Sequence, residues 1–381
     1  MHGDIDADRP ARIGVLTARA FSRKAFQCGH LEAQDVLAGC GEVDLIGLET
    51  EPSFSWKQPW IRRLMYRDVS RRLAFANPGL KRIRLTTTYD VLIVMCQTYW
   101  DFLYVNAIDD WKNHCRTSVC WIDELWASNL PLYKYWVPSL TRFDHVVVGM
   151  YGTVTRLGEA IKRSCHYVPG GVDAIRFSPY PTLPARVIDA YSVGRRWDGL
   201  HDALLKRASD TGAFYVYDTL QTGESQTPDH KQHRDLYANM AKRSRFFIVA
   251  PGKVNVPEET HGQVEVGFRY YEGAAAGAIM IGQAPDCEPF RAMFDWPDAV
   301  VDARPDGSDA RQVLTALTSQ PERMEEISRR NAEGALLLHD WIYRWKRIFD
   351  IAGVQPPRGM HLREMRLKEL AEQARVVEYG R

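Results

Sequence analysis

Residues 166–173 read His-Tyr-Val-Pro-Gly-Gly-Val-Asp, and Pro179, Pro181 and Pro184 follow within a few positions. Proline and adjacent glycines interrupt helices and central strands, so this turn-rich stretch is a linker. At roughly 150 residues per domain, a chain of 381 residues is also longer than a single core usually supports. The sequence therefore predicts two domains with a boundary near Val172.

Amino-terminal to the linker, short β-branched apolar runs predict parallel strands that are buried on both faces. They are Arg12–Thr17, Val43–Leu48, Asp90–Cys96, Ser118–Ile122 and His145–Gly149. Helical patterns alternate with them, notably over Phe26–Leu37, Trp60–Phe75 and Gly152–Lys162. This alternation predicts a doubly wound, Rossmann-like α/β domain over residues 1–172.

The same alternation starts again after the linker. The predicted strands are Asp189–Val193, Phe214–Tyr217, Phe246–Ala250 and Ala278–Gly282. The predicted helices are Leu200–Ala208, Leu236–Lys242, Tyr270–Ala276, Asp309–Leu317, Pro321–Leu338 and Trp341–Ile351. The sequence thus predicts a second Rossmann-like domain over residues 173–340, followed by C-terminal helices over residues 341–381.

Charge is balanced overall but not locally. The chain carries 49 basic and 48 acidic side chains, a net charge of +1, which argues against a dedicated nucleic-acid binder. The segment Trp56–Arg84 is the exception, because it holds nine lysines and arginines against the single carboxylate of Asp68. Since aromatic and aliphatic residues are interleaved with these cations, an anionic membrane surface is an expected partner, and a solvated helix packed on the sheet is the alternative. Nucleic acid is not expected, because no recognised nucleic-acid module accompanies the segment.

The chain shows neither a leader nor a membrane-spanning pattern. No stretch approaches the roughly 20 apolar residues that cross a bilayer, and the first ten residues, MHGDIDADRP, are acidic. The seven cysteines are scattered without a CxxC pair, as is typical of reduced thiols. The expected location is the cytoplasm, with peripheral attachment to the inner face of the membrane through Trp56–Arg84.

Three segments together resemble one family. Residues 167–173 with Phe177-Ser178-Pro179 are similar to the inter-domain signature of the group-1 (family 4-like) glycosyltransferases, with Gly170 in place of the usual Asn. Residues 191–196, Tyr-Ser-Val-Gly-Arg-Arg, resemble the strand that begins the donor domain of that family. Residues 267–278, Gly-Phe-Arg-Tyr-Tyr-Glu-Gly-Ala-Ala-Ala-Gly-Ala, resemble its donor-binding block.

The resemblance implies a GT-B architecture, in which two Rossmann-like domains face each other across a cleft and a C-terminal helix crosses back to the first domain. It also implies a metal-independent, hexosyltransferase-type enzyme with no cofactor beyond a nucleotide-diphospho-sugar donor substrate. The expected acceptor is a glycan or a lipid-linked glycan, and the expected role is in bacterial surface polysaccharide or glycoconjugate synthesis. Two alternatives stay open: a catalytically silent two-Rossmann binding protein and a sugar-nucleotide epimerase.

Donor-binding residues are expected at strand ends and at one helix start. Backbone N–H groups at a helix N-terminus bind phosphate well, which points to Gly267 and the turn that follows it. The resemblance adds Phe268, Arg269 and Tyr270 to this group, and it assigns Glu272 to the ribose hydroxyls. A carboxylate at this position could instead serve only to favour the helix dipole.

Gly194, Arg195 and Arg196 end a predicted strand, where ligands of open α/β sheets bind. Arginine there can hold a diphosphate and stabilise it as it leaves, although adjacent arginines are also common at surfaces. Arg195 is therefore a catalytic candidate, and Gly194 and Arg196 are donor-binding candidates. The family's nearby lysine is missing, and Lys253, at the end of another strand, is the expected substitute in catalysis.

The family's usual pair of glutamates is altered here. Counting back eight positions from Glu272 reaches Val264, and Glu265 is displaced by one residue. Arg269 precedes Glu272 by three residues, which favours a variant subgroup and leaves the stereochemical outcome of transfer open.

The N-terminal domain offers Asp123 as a catalytic candidate, because it follows a predicted strand where the family often has histidine. It could act as a general base or stabilise a sugar cation, and a capping role is the alternative. No metal site is expected, since the chain has no D-x-D motif and His114 lacks a second ligand at metal spacing. A nicotinamide dinucleotide is disfavoured because no G-x-G-x-x-G follows the first strand.

Overall fold

The computed structural model describes residues 10–67, 69–133, 136–219 and 225–376, so Asp68 of the basic segment lies outside the described residues. The described chain forms two compact units. Unit 1 contains residues 10–22, 34–168 and 345–363, and unit 2 contains residues 23–33, 169–344 and 364–376.

The strands are β1 (Ile13–Thr17), β2 (Val43–Gly47), β3 (Tyr89–Thr98), β4 (Cys115–Glu124), β5 (His145–Val148), β6 (Cys165–Tyr167), β7 (Ile188–Ser192), β8 (Tyr215–Tyr217), β9 (Ser244–Val249), β10 (Ile279–Gly282) and β11 (Val301–Asp302). The α-helices are α1 (Cys28–Ala38), α2 (Phe54–Tyr66), α3 (Val154–Ile161), α4 (Ala174–Phe177), α5 (Asp198–Thr211), α6 (His230–Lys242), α7 (Pro257–Thr260), α8 (Phe268–Ala275), α9 (Glu288–Met293), α10 (Ala310–Thr318), α11 (Pro321–Leu338), α12 (Trp341–Ala352) and α13 (Gly359–Val376). Short 3₁₀ helices span Ala25–Gln27, Arg71–Phe75, Tyr99–Ala107, Trp111–His114, Ala127–Tyr133, Val137–Arg142 and Tyr151–Thr153.

Unit 1 contains a parallel sheet in the order β2-β1-β3-β4-β5-β6. The central strands are apolar along most of their length, as strands covered on both faces must be. One face packs on an aromatic cluster in which Phe102 and Trp136 stack with their ring centroids 5.3 Å apart. Parallel pairing brings all the carboxyl ends of these strands to one edge, which is where Asp123 lies near the end of β4.

Unit 2 contains a second parallel sheet, in the order β11-β10-β9-β7-β8. Alternate residues of β9 point to opposite faces: Phe246 and Ile248 join a core with Leu200 of α5, while Phe247 packs on the ring of Tyr237 in α6. Both faces of the sheet are therefore covered by helices, as in a doubly wound fold.

Two predicted helices differ from the observed ones. The predicted helix Trp60–Phe75 is wrong in its bounds, because α2 begins at Phe54 and ends at Tyr66, and a separate 3₁₀ helix starts after Ser70, whose side chain accepts a hydrogen bond from the Arg72 N–H. Helix α6 begins at His230 rather than at Leu236. Asp229 caps it by accepting hydrogen bonds from the N–H groups of Lys231 and Gln232, so the polar residues 230–235, ahead of the predicted start, are also helical.

Candidate active site

The strand order of unit 2 locates a ligand-binding crevice. Strand β7 pairs with both β8 and β9, and the order of the strands along the sheet reverses between β7 and β9. Open α/β sheets bind their ligands at the carboxyl ends of the strands where this reversal occurs. The loop after β7 begins at Val193 and the loop after β9 begins at Ala250, so the predicted donor residues of both loops flank this crevice.

The two arginines after β7 have different environments. Gly194 adopts a φ of 76°, which favours glycine, and its N–H donates to Asp218 Oδ2 at 2.9 Å. Arg196 donates from Nη1 to Asp218 Oδ1 at 2.9 Å, so its charge is neutralised by that carboxylate. Arg195 is exposed, and its Nη1 donates to the neutral Oδ1 of Asn255 at 2.9 Å. The hydrogen bond of Arg195 is thus to a neutral amide, whereas Arg196 is paired with a carboxylate within the loop region that follows β7.

Lys253 follows β9 in a left-handed conformation with a φ of 56°. Its Nζ lies 2.7 Å from Glu259 Oε2, and this hydrogen bond lowers the pKa of Glu259. The Lys253 side chain is mostly buried, whereas Glu259 is 51% exposed. The Lys253 ammonium group is thus held at the end of β9 by a carboxylate that is itself accessible to solvent.

Helix α8 presents its N-terminus beside the loop that follows β9. Gly267 is the N-cap residue, and no side chain caps the first turn. A Cβ atom at Gly267 would lie 3.7 Å from the Ala250 carbonyl oxygen and 3.9 Å from the Gly252 nitrogen. The first-turn N–H groups of an eight-residue helix therefore start next to the β9 loop, an arrangement that favours phosphate oxygens.

Phe268 and Tyr270 hold α8 in place. The Phe268 ring packs against Trp341, with the ring centroids 6.0 Å apart. Tyr270 is fully buried, and its hydroxyl donates to the Gln283 carbonyl oxygen at 2.5 Å. These two side chains anchor the start of the helix to unit 2.

Glu272 lies in a buried ionic network. Its side chain is 2% exposed; Oε1 accepts a hydrogen bond from Arg234 Nη1 at 2.5 Å, and Oε2 accepts from the Tyr237 hydroxyl at 2.8 Å and from Arg269 Nη1. Arg234 also donates from Nε to Glu32 Oε2 at 2.7 Å and from Nη2 to Glu32 Oε1 at 3.0 Å. Burial alone would raise the pKa of Glu272, but the Arg269 and Arg234 guanidinium groups outweigh it and hold that pKa below its usual value.

This network positions Arg269 at the crevice. The Arg269 Nε donates to the Val193 carbonyl oxygen at 3.2 Å, and Nη2 would lie 3.4 Å from a Cβ atom at Gly194. Arg269 thus connects the start of α8 with the end of β7. The structure brings Gly194, Arg195, Lys253, Gly267 and Arg269 to one edge of the unit 2 sheet, whereas Glu272 lies beneath that edge.

Sequence reasoning missed Glu32, Arg234, Tyr237 and Asp218. Arg234 and Tyr237 are three residues apart, so they share a face of α6, and this spacing was a usable signal. Glu32 carried no signal, because it pairs with Arg234 across 202 positions of sequence.

Asp123 belongs to unit 1 and lies near the carboxyl end of β4. Gln97 Nε2 is 3.5 Å from Asp123 Oδ2, and a Cβ atom at Gly149 would lie only 2.7 Å from Asp123 Oδ1, so only glycine fits there. Burial raises the pKa of Asp123 to about 8, and the neighbouring charge of Glu124 adds to the effect. A carboxyl group with this pKa can exchange a proton near neutral pH.

This pKa predicts a pH-dependent effect of Asp123→Asn on stability. An unfolded aspartate ionises near pH ~3.9, so between that pH and about 8 the folded chain holds a proton that the unfolded chain has lost. Wild-type stability should therefore fall as pH rises through this window, and asparagine should remove that loss. The calorimetric melting temperature of the variant relative to the wild type should therefore be higher at pH 9 than at pH 5. Equal differences at both pH values would contradict the raised pKa.

Among the described residues, no group of three or more His, Cys, Asp and Glu side chains is arranged to hold a metal ion. In the same part of the chain, no helix is long and apolar enough to cross a membrane.

The two sheets define a protein class, that of two Rossmann-like domains each with a strand-end crevice. Residues 186–350 match the model of the glycosyl transferase-like family, and this range contains every predicted donor residue. Residues 186–350 are therefore similar to glycosyltransferases, and the two sheets together have the two-Rossmann, GT-B type fold. The fold class and the enzyme class predicted from the sequence are confirmed.

Solved structures share this fold at low sequence identity. An alpha-glucosyltransferase in complex with UDP-glucose and DNA containing an abasic site is 13% identical, with a TM-score of 0.55 over 91% of this chain and 100% of that chain. The Anabaena protein HepE in complex with UDP and glucose is 10% identical, with a TM-score of 0.52 over 91% of this chain and 100% of that chain. No curated protein matches the sequence.

Proposed function

We propose that the protein transfers a sugar from a UDP-sugar to a hydroxyl group of a glycan or lipid-linked glycan, without a metal ion or other cofactor. The observation that carries the proposal is the meeting of Arg195, Lys253, Arg269 and the N-terminus of α8 at the β7–β9 crevice of unit 2. Two neighbours of the same fold were solved with UDP or UDP-glucose, which favours uridine as the base.

The chemistry breaks the bond between the anomeric carbon and the terminal phosphate oxygen of the donor. The electron pair of that bond goes to the diphosphate, and the added negative charge is stabilised by the Arg195 guanidinium, the Lys253 ammonium and the N–H groups after Gly267. These cations supply the charge that a metal ion would otherwise provide. The acceptor hydroxyl forms the new bond to the anomeric carbon and loses its proton.

Asp123 is proposed to receive that proton or to contact the transferred sugar. Its pKa of about 8 suits a group that exchanges protons near neutral pH. The ribose contact of Glu272 stays a prediction, and it requires a ribose hydroxyl to share Oε2 with Tyr237 and Arg269. Arg269 is proposed to contact the diphosphate or the ribose, held there by Glu272.

The proposal is tested by thermal unfolding of the protein with UDP, GDP, ADP, dTDP or CMP. A ligand that binds only the folded chain raises the melting temperature in proportion to its concentration and affinity. UDP should give the largest shift, and UDP-glucose with an acceptor glycan should release UDP. A shift without UDP release from any sugar nucleotide would instead favour a silent binding protein.

A membrane acceptor is supported by the surface of the basic segment. Trp56 and Trp60 of α2 are 57% and 58% exposed, beside the cations Lys57, Arg62 and Arg63. Exposed tryptophans with cations favour anionic lipid interfaces. We therefore propose attachment of unit 1 to the inner face of the membrane, where lipid-linked surface glycans are assembled.

The variant Trp56→Ser/Trp60→Ser should sediment less with anionic vesicles than the wild type, because it loses the aromatic contacts with the lipid interface. Leu362→Ser is the matched control, since Leu362 is 68% exposed outside this segment. Equal sedimentation of both variants would count against attachment through α2.

A further inference from the structure

Unit 1 contains a cavity at one edge of its sheet, and Asp123 lies at the opposite edge. Its volume is about 770 Å³, and it is lined by Phe75, Arg82, Arg84, Leu85, Asn106, Ile108, Asp109, Asp110, Trp111, Lys112, Asn113, His114 and Arg142. Trp111–His114 immediately precede β4, and Arg142 lies shortly before β5, so the cavity is at the amino-terminal edge of the strands. Because β4 has ten residues, roughly 30 Å of strand separates this edge from the carboxyl edge.

Arg142 is held in the cavity by two hydrogen bonds. Its Nη1 donates to Asn106 Oδ1 at 2.9 Å and to the Ala74 carbonyl oxygen at 3.3 Å, and both acceptors are neutral. Its guanidinium lies 4.5 Å from the ring centroid of Phe75 and 5.8 Å from that of Trp111. Burial lowers the pKa of Arg142. A desolvated guanidinium held by neutral groups is poised to pair with an anion.

The other charges of the cavity also favour an anion. Arg82 is paired with Asp109 at 2.7 Å, so these two charges cancel. Arg84 and Lys112 are exposed and form no ion pair in the part of the chain that the structure describes, which leaves Asp110 as the opposing carboxylate. Three uncancelled cations thus face one uncancelled anion, and the planar guanidinium groups of Arg84 and Arg142 suit the oxygens of a phosphate.

We propose that this cavity binds a phosphate group at a site remote from sugar transfer. The group would come from a phosphate-bearing acceptor chain or from a phospholipid headgroup. A phosphate group from either source would give unit 1 a second contact with its acceptor or with the membrane. The proposal does not depend on the donor site of unit 2, because all the residues that line the cavity belong to unit 1.

The test is titration of the full chain with inorganic phosphate and with glycerol phosphate by calorimetry at low salt, and sedimentation with phosphatidylcholine vesicles that contain or lack phosphatidic acid. Wild-type protein should bind phosphate saturably, and Arg84→Gln/Lys112→Gln should weaken binding roughly 100-fold, since each of the two lost charge-assisted hydrogen bonds contributes about tenfold. Arg142→Lys should also weaken it, while UDP binding stays unchanged in both variants.

The double variant Arg84→Gln/Lys112→Gln should fold normally, because both side chains are exposed and their loss leaves the hydrogen bond between Arg142 and Asn106 in place. Saturable binding of the soluble phosphates identifies an acceptor phosphate, and cavity-dependent sedimentation only with phosphatidic acid identifies a headgroup. Both results support the site. Absence of both kinds of binding, or binding that all these substitutions leave unchanged, would overturn it. If the wild-type protein does not bind UDP, that result contradicts the proposed donor site of unit 2 and leaves the phosphate site untouched.

Discussion

Replacing Glu272 by alanine is expected to lower the free energy of unfolding by about 3–5 kcal/mol, the typical effect of removing one partner from a buried ion pair. The substitution leaves the guanidinium of Arg234 with Glu32 as its remaining carboxylate, and it removes the carboxylate that Arg269 contacts. Arg234 is 3% exposed, so water cannot replace the lost carboxylate. Equilibrium denaturation in urea measures the change.

A matched control is available in α13. Arg366 and Glu369 form an ion pair with the same spacing of three residues as Arg269 and Glu272, but their side chains are 46% and 56% exposed. Glu369→Ala should therefore change stability by less than about 1 kcal/mol. Glu272→Gln, which keeps an acceptor oxygen and loses the charge, should fall between the two. If Glu272→Ala costs no more than Glu369→Ala, the buried network does not stabilise unit 2.

Removing the cations of the crevice is expected to slow transfer more than any other substitution that leaves the fold intact. Arg195→Ala and Lys253→Ala should each lower kcat by about 10²–10³-fold, the usual cost of losing one group that stabilises developing negative charge. Arg195 is exposed and hydrogen-bonded to Asn255, so its loss should not unfold unit 2. The measurement is the initial rate of UDP release with saturating donor and acceptor.

Arg245→Ala is the matched control for these substitutions. Arg245 is an exposed arginine of β9, but it lies at the amino end of that strand, away from the crevice. Its variant should keep the wild-type rate. A similar rate for Arg195→Ala and Arg245→Ala would show that the charge of Arg195 does not act on the leaving diphosphate.

The positions of the candidate donor residues could be predicted because simple rules govern them. Short apolar runs predicted the parallel strands, and parallel strands bring the residues at their carboxyl ends to one edge. Gly194, Arg195 and Lys253 follow such runs, and Gly267 precedes a small-residue helix, so their shared location followed from the sequence. Helix α8 begins at Phe268, directly after Gly267, two residues before the predicted start at Tyr270.

The interior of the site could not be predicted in the same way. Polar residues are usually exposed, so no local pattern indicates that Glu32 and Arg234 are buried. Their burial depends on pairing across 202 positions, which no local period reports. For the same reason the sequence indicates only a ribose contact or a helix-dipole role for Glu272, and not its place in a buried ionic network. Its contacts with the buried Arg234 and Tyr237, and with the partly exposed Arg269, are the basis for the loss of stability that we expect from its removal.

The central claim is that the donor binds at the β7–β9 crevice of unit 2, and hydrogen exchange tests it most directly. Backbone amide exchange is measured with and without UDP by mass spectrometry. UDP should slow exchange at residues 194–196, 252–253 and 267–269, because the nucleotide covers these amides or accepts hydrogen bonds from them. Saturating UDP that leaves these three segments unchanged, or that protects other segments of the chain instead, would contradict the account.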